Sequence, residues 1–366
     1  MLTVTNQEEM YRQLDKRLNK TYDKLREYQD LPKRKPMLKT YIVESNVKPL
    51  EQFPKVNGFS FKYTRMGESC LFSASYINAN GESGEFYIDT TNERFWKFHT
   101  ISRSDISDDF LDKAIMVPGS KLDYPWLTSQ FLERMSKNDE FRGFTVRYDD
   151  QFVHGDDESP LDSISLRLWG TNAPKVMALL KNEDSLKHSI AISGVGLKRY
   201  TGDEEFAIDD LTYLGKFTAR GTSIHSHNSI TDEVLEKYAK IIDKIEGVAI
   251  QLTPAASGHR LDGESFTIHL QKPIMSMSLF VTVLLSSKYP FRLWGISKEL
   301  EHSFVKVNAV DLHTGSKLDI EISPNWLRIF LPKDSCGNAI TRLCTNIQHH
   351  YDSEAVLTVG ENERII

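Results

Sequence analysis

Between residues 5 and 30 apolar side chains recur at steps of three and four. Tyr11, Leu14, Leu18, Leu25 and Tyr28 make a narrow stripe, and most other positions there are charged. That period predicts one amphipathic helix, opened by Thr5 and Glu8 at capping-box spacing. A stripe so narrow suits either docking on the chain's own core or coiled-coil-like contact with a partner. Leu31-Pro32-Lys33-Arg34-Lys35-Pro36 then ends the helix, because two prolines around three bases favour an extended linker.

From Phe59 the pattern turns to strands. Phe59 to Tyr63 alternates apolar and polar positions, Leu71 to Ile77 does so less strictly, and Asn78-Ala79-Asn80-Gly81 is a turn signal. Phe86 to Ile88 and Phe95 to Phe98 follow as strands. Ser104 to Ile115 reads as a helix capped by Ser104 or Ser107. A junction comes next, with Tyr124 and Trp126 flanking Pro125 as an apolar seal and a short helix from Thr128 to Met135.

An identical tetrapeptide then occurs twice, Arg167-Leu168-Trp169-Gly170 and Arg292-Leu293-Trp294-Gly295. Matching landmarks follow both copies. Ser189–Tyr200 corresponds to Ser303–Leu312, Thr201-Gly202 to Thr314-Gly315, and Phe206–Ile208 to Leu318–Ile320. Tyr213–Thr218 corresponds to Trp326–Leu331, and Asn228-Ser229-Ile230-Thr231 to Asn338-Ala339-Ile340-Thr341. Such order predicts an internal repeat, in which each tryptophan fills its unit's core, each glycine opens a turn, and Thr231 and Thr341 cap the closing helices. Extra strands at Phe144–Val146 and Phe266–Ile268 precede the tetrapeptides, and Pro174 to Lys181 suggests an inserted helix.

The expected fold is therefore α+β: duplicated antiparallel β-sheet-plus-helix units behind an N-terminal amphipathic helix, with a third, more diverged copy. The divisions are residues 1–36 for the helix and basic linker, 37–140 for the diverged unit, and 141–258 and 259–366 for the two units carrying the tetrapeptide.

Composition narrows the function classes. A formal charge of −6 over 366 residues disfavours a dedicated polyanion binder. Three scattered cysteines do not make a disulfide framework and fit a reducing, cytoplasmic compartment. The most apolar run, Leu279 to Leu285, is too short to span a bilayer. No secretory leader is visible at the N-terminus.

The sharpest chemical signal is His225-Ser226-His227. Placed at a strand end, the pair would present two imidazoles on one face for a metal. Asp209, Asp210, His259 and the acidic loop Gly155–Glu158 are the candidate further ligands. Ser193-Gly194-Val195-Gly196 lacks phosphate-loop spacing, and its glycines instead mark a bulge or a close backbone approach. His349-His350 ends a helix, where cationic imidazoles suit the macrodipole. No catalytic triad is assembled by local motif, and no cofactor is expected.

These observations favour a non-catalytic interaction or scaffold subunit of a macromolecular assembly. A protein partner or self-association would use the N-terminal helix through Tyr11, Leu14, Leu18 and Leu25. Nucleic acid is a second partner class, reached through basic strands and loops such as Lys33, Arg34 and Lys35, Lys198-Arg199, and Arg142 with Arg147. The alternative is a metal-dependent hydrolase using His225 and His227.

Overall fold

The structure, a computed structural model, describes residues 4–22, 36–48, 53–117, 119–137, 139–152, 163–255, 258–301, 303–360 and 363–365. Its first element is α1 (Gln7–Tyr22), the amphipathic helix expected from the stripe. Its cap sits one residue later than the sequence suggested, because Asn6 Oδ1 accepts from the Glu9 amide at 2.8 Å. Leu25 and the Lys33-Arg34-Lys35 linker lie outside the described residues.

Strand β1 (Leu38–Ser45) follows, buried at all eight positions. A four-strand meander comes next: β2 (Phe59–Arg65), β3 (Leu71–Asn78), β4 (Ser83–Asp89) and β5 (Phe95–Thr100). It leads into α2 (Ser104–Met116), whose cap position is Arg103 without a side-chain bond, rather than a serine. The two-residue β6 (Leu122–Asp123) and α3 (Ser129–Met135) complete this part, and Thr128 caps α3 by accepting from the Phe131 amide. Tyr124 and Trp126 are buried between them.

The next elements are β7 (Glu140–Asp149), β8 (Ser163–Trp169), α4 (Ala173–Asn182), β9 (Ile192–Tyr200), β10 (Phe206–Thr212), β11 (Lys216–Gly221) and α5 (Ile224–Gly247). A hairpin, β12 (Gln251–Ala255) and β13 (Gly258–Asp262), leads to β14 (Phe266–His269) and α6 (Met277–Leu284). The second meander is β15 (Leu293–Glu301), β16 (Phe304–Asp311), β17 (Lys317–Ser323) and β18 (Trp326–Phe330). Helix α7 (Asn338–His350), β19 (Val356–Val359) and β20 (Glu363–Arg364) close the chain.

Every strand pairing in these sheets is antiparallel. One eleven-stranded sheet runs β2-β3-β4-β5-β1-β11-β10-β9-β7-β8, with β6 attached to β1. A seven-stranded sheet runs β15-β16-β17-β18-β14-β19-β20. The fold is α+β, as expected. The ranges 37–140 and 141–258 are nonetheless joined in a single sheet, because β1 pairs with β5 on one side and β11 on the other.

The two meanders share a strand order. In β2-β3-β4-β5-β1-β6 the strand before the meander pairs with its last strand and with the strand after the helix. The order β15-β16-β17-β18-β14-β19 repeats this. The elements β9-β10-β11-α5 reproduce the meander and helix only, since β7 pairs with β9 and β8 instead.

The tetrapeptides themselves are not equivalent, which corrects the reading that gave both one role. The first ends β8, where Gly170 has φ 126°. The second begins β15, with Gly295 inside the strand. Neither tryptophan is a core residue. Trp169 is half-buried, with the Arg167 and Arg220 guanidinium carbons 5.1 and 5.2 Å from its ring, and Trp294 is exposed. The Trp169 ring explains Gly196, where a Cβ would lie 2.3 Å from it.

Both closing helices also start earlier than their threonines. Helix α5 begins at Ile224 after the Ser223 cap, and α7 begins at Asn338. Thr231 and Thr341 lie inside the helices and donate to carbonyls three residues back, at 3.0 Å each. All thirteen residues of α7 are buried. Its polar side chains reach neighbouring segments: Asn338 bonds to the Tyr124 carbonyl, Thr345 to that of Trp126, and Gln348 to the Ser129 amide. Burial pushes His349 down to about 4, so this imidazole is neutral rather than the cation expected at a helix end.

Candidate functional site

His225 and His227 sit in the first turn of α5, not at a strand end. Two residues apart on a helix, side chains point to opposite sides. His225 is exposed, whereas His227 is fully buried. The structure therefore does not bring the pair onto one metal. His259 lies exposed in β13, and the Gly155–Glu158 loop is outside the described residues.

What His227 does instead is join a chain of buried polar groups. Its Nδ1 lies 2.8 Å from Asp209 Oδ1, and its Nε2 lies 2.7 Å from Thr40 Oγ1. Thr40 Oγ1 is also 2.9 Å from His99 Nδ1. The contacts are all satisfied when Nδ1 of each imidazole carries the proton and Thr40 donates to His227. Burial, with Lys97 adding repulsion, pushes His99 down to about 3 and keeps it neutral. Acid, imidazole and hydroxyl stand in the order that activates a nucleophile. All four side chains are nevertheless sealed, with the Tyr11 ring of α1 edge-on to His99 at 5.7 Å. The arrangement holds β1, β10 and α5 together and offers no room to a substrate.

The α1 stripe also turns inward. Met10, Leu14 and Leu18 are buried in one cluster with Leu38, Leu71, Tyr87 and Ala219 of the large sheet. Tyr11 is only partly exposed, and its hydroxyl donates to Asp89. Over its described length the helix thus docks on its own chain.

A second polar centre, which the sequence did not suggest, lies where the two sheets meet. Asp123 on β6 and Asp311 at the end of β16 are both buried and share Arg342 of α7, whose Nη1 is 2.6 Å from Asp123 Oδ2. Beside them Arg94 bridges Glu44 at the end of β1 (2.8 Å) and Glu246 at the end of α5 (2.6 Å). Cys336, just before α7, lies 3.2 Å from Glu44 Oε1. Burial raises the Glu44 carboxyl above its ordinary range, against the pull of Arg94. It raises the Cys336 thiol well up, and the Glu44 charge adds to this. Each ion pair here crosses between segments far apart in sequence, so no local motif announced it.

The surface offers a contrasting feature at β15. This strand is the end of the seven-stranded sheet and pairs only with β16 among the described residues. Trp294, Ile296 and Leu300 on it are 55%, 67% and 47% exposed. From Leu293 to Glu299 the register with β16 is regular, and the irregularity falls between Glu299 and Glu301.

Comparison with known proteins places this architecture in a family. The MJECL33-like protein family matches residues 1–366, the whole chain. The chain belongs to the MJECL33-like protein family. It is 31% identical over 401 residues to the protein MJECL33 of Methanocaldococcus jannaschii, an alignment covering 99% of this chain and 96% of that relative. The relative is named as uncharacterized, so this MJECL33-like chain inherits no activity from it.

Proposed function

We propose that this MJECL33-like protein is a non-catalytic interaction subunit whose assembly starts at the open edge of β15. The observation that carries the reading is the exposed apolar row of Trp294, Ile296 and Leu300 on an edge strand. An unpaired edge presents free backbone donors and acceptors to another strand, and apolar side chains along it add area to bury. The stripe of α1, by contrast, is already covered.

The occupant that β15 fits is the same strand of a second copy. Antiparallel pairing about a two-fold axis at Ile296 sets Ile296 against Ile296, Trp294 against Lys298, and Gly295 against Ser297, and stops short of Leu293, whose carbonyl accepts from the Ser287 amide at 3.0 Å. That register uses only the regular stretch, opposes no like charges, and places each Lys298 beside an indole. Sedimentation of the purified chain tests it. A concentration-dependent dimer that Ile296→Lys abolishes supports the reading, and a monomeric wild-type chain sinks it.

Two of the basic residues open to a nucleic-acid partner are engaged within the chain. Arg199 is paired with Asp139 and Glu233, and Arg142 with Glu140. The cytoplasm is the compartment that suits three free cysteines, two of them buried. No described helix is long and apolar enough to cross a membrane.

A further inference from the structure

We infer that Glu44, His313 and Cys336 form a binding site for one divalent cation of the zinc class, at the seam between the two sheets. The ligand atoms of these three buried residues all lie within 4.8 Å of one another. Tetrahedral zinc bonds of about 2.0–2.3 Å place donors roughly 3.3–3.8 Å apart, so closure asks for side-chain shifts on the order of 1 Å.

The imidazole is the observation that points to a ligand. His313 is 2% exposed, and neither of its ring nitrogens has a hydrogen-bond partner. Its nearest ion-pair contact, Nδ1 to Asp123 Oδ2, is 3.7 Å and too long for a hydrogen bond. A buried imidazole without partners forfeits its solvation on both sides, which a metal bond would repair.

The neighbouring groups suit a cation. Arg94 holds Glu44 through Oε1, with Nε at 3.1 Å and Nη2 at 2.8 Å, while Oε2 lies 3.4 Å from the Cys336 sulfur. Glu44 can therefore ligate through Oε2 while Arg94 fixes its other oxygen, the usual division between ligand and supporting shell. One sulfur, one nitrogen and one carboxylate oxygen favour zinc-class ions over magnesium or calcium. Access exists as well. A cavity of about 260 Å³, whose lining includes Cys336, Arg94, Glu246 and Asn46, opens on the sulfur side. Binding replaces the thiol proton: the M–S bond forms, the S–H bond breaks, and one proton leaves to solvent as the cation enters.

Cobalt(II) added to the metal-stripped full chain is the test, read by bound metal per chain and by absorption. The inference expects one cobalt per chain, with a thiolate-to-cobalt band in the near ultraviolet. The band disappears in Cys336→Ser and the binding weakens at least tenfold in His313→Gln, while Cys70→Ser and His225→Ala keep both. Should the site variants fail to fold, the spectrum of the Cys70→Ser/Cys344→Ala chain, which keeps Cys336 as its sole thiol, decides: the band stays if the site is right and is lost if it is wrong. Absence of bound cobalt in the folded wild-type chain overturns the site, as does a spectrum without the thiolate band or a band that survives Cys336→Ser.

Discussion

His225 and His227 show how little a residue's type says until its surroundings are known. Two positions apart, one imidazole meets water and the other meets Asp209 and Thr40 with no exposure at all. His227→Ala leaves a buried carboxylate and a buried hydroxyl without their partner. Urea unfolding should lose about 3–5 kcal/mol. His225→Ala should stay within about 0.5 kcal/mol of wild type. Equal small effects would remove the buried chain from the account.

Lys39 belongs to the same scale. It is fully buried, and burial, with Lys216 adding repulsion, pushes it down to about 7 against the pull of Asp108 and Asp105. The unfolded chain thus binds a proton between pH 7 and about 10.4 that the folded chain has released. Stability should rise with pH through that window, by at most about 1.4 kcal/mol per pH unit from this group. Below pH 7 the folded lysine is charged and the slope vanishes. The difference between wild type and Lys39→Met, measured by denaturant unfolding from pH 6 to 9, isolates the contribution. Parallel pH profiles for the two chains would contradict it.

Among the elements, α1 was legible because a one-sided helix writes its period into the sequence, and its stripe is the face that is buried. The choice between its own core and a partner was not legible, since both bury the same stripe. Leu18 is fully buried against the sheet, so Leu18→Ala should cost about 2–4 kcal/mol of stability by denaturant titration. A partner-binding helix would tolerate that change without loss. Strand β1 escaped notice for the opposite reason. It is covered on both faces, so Leu38 to Ser45 shows no alternation, and it carries Lys39, Thr40 and Glu44 into the interior. The helix starts were misplaced because Thr231 and Thr341 resemble caps in sequence, while their hydroxyls in fact bond within the helix. We retain the duplication as a proposal. Its support is the shared order of the meanders around β1 and β14, since one tetrapeptide ends β8 and the other begins β15.

At the scale of the whole molecule, the polar residues of the seam come from β1, β6, β16, α5 and α7 and from the segments just before β5 and α7. Cys336 and Glu44 are 292 positions apart, a separation that only the finished fold brings to contact distance. The outer rim is different, because β15 is exposed at every position from Ile296 to Glu301 and its contacts within the sheet come from β16 alone among the described residues. Association through that edge is the central functional claim. Sedimentation velocity on the intact chain, over a concentration series into the tens of micromolar, tests it most directly. Wild type should form a reversible dimer. Ile296→Lys, which sets lysine against lysine at the two-fold axis, should be a monomer of unchanged thermal stability. A wild-type chain that stays monomeric throughout, or an Ile296→Lys chain that dimerises as well as wild type, would contradict it.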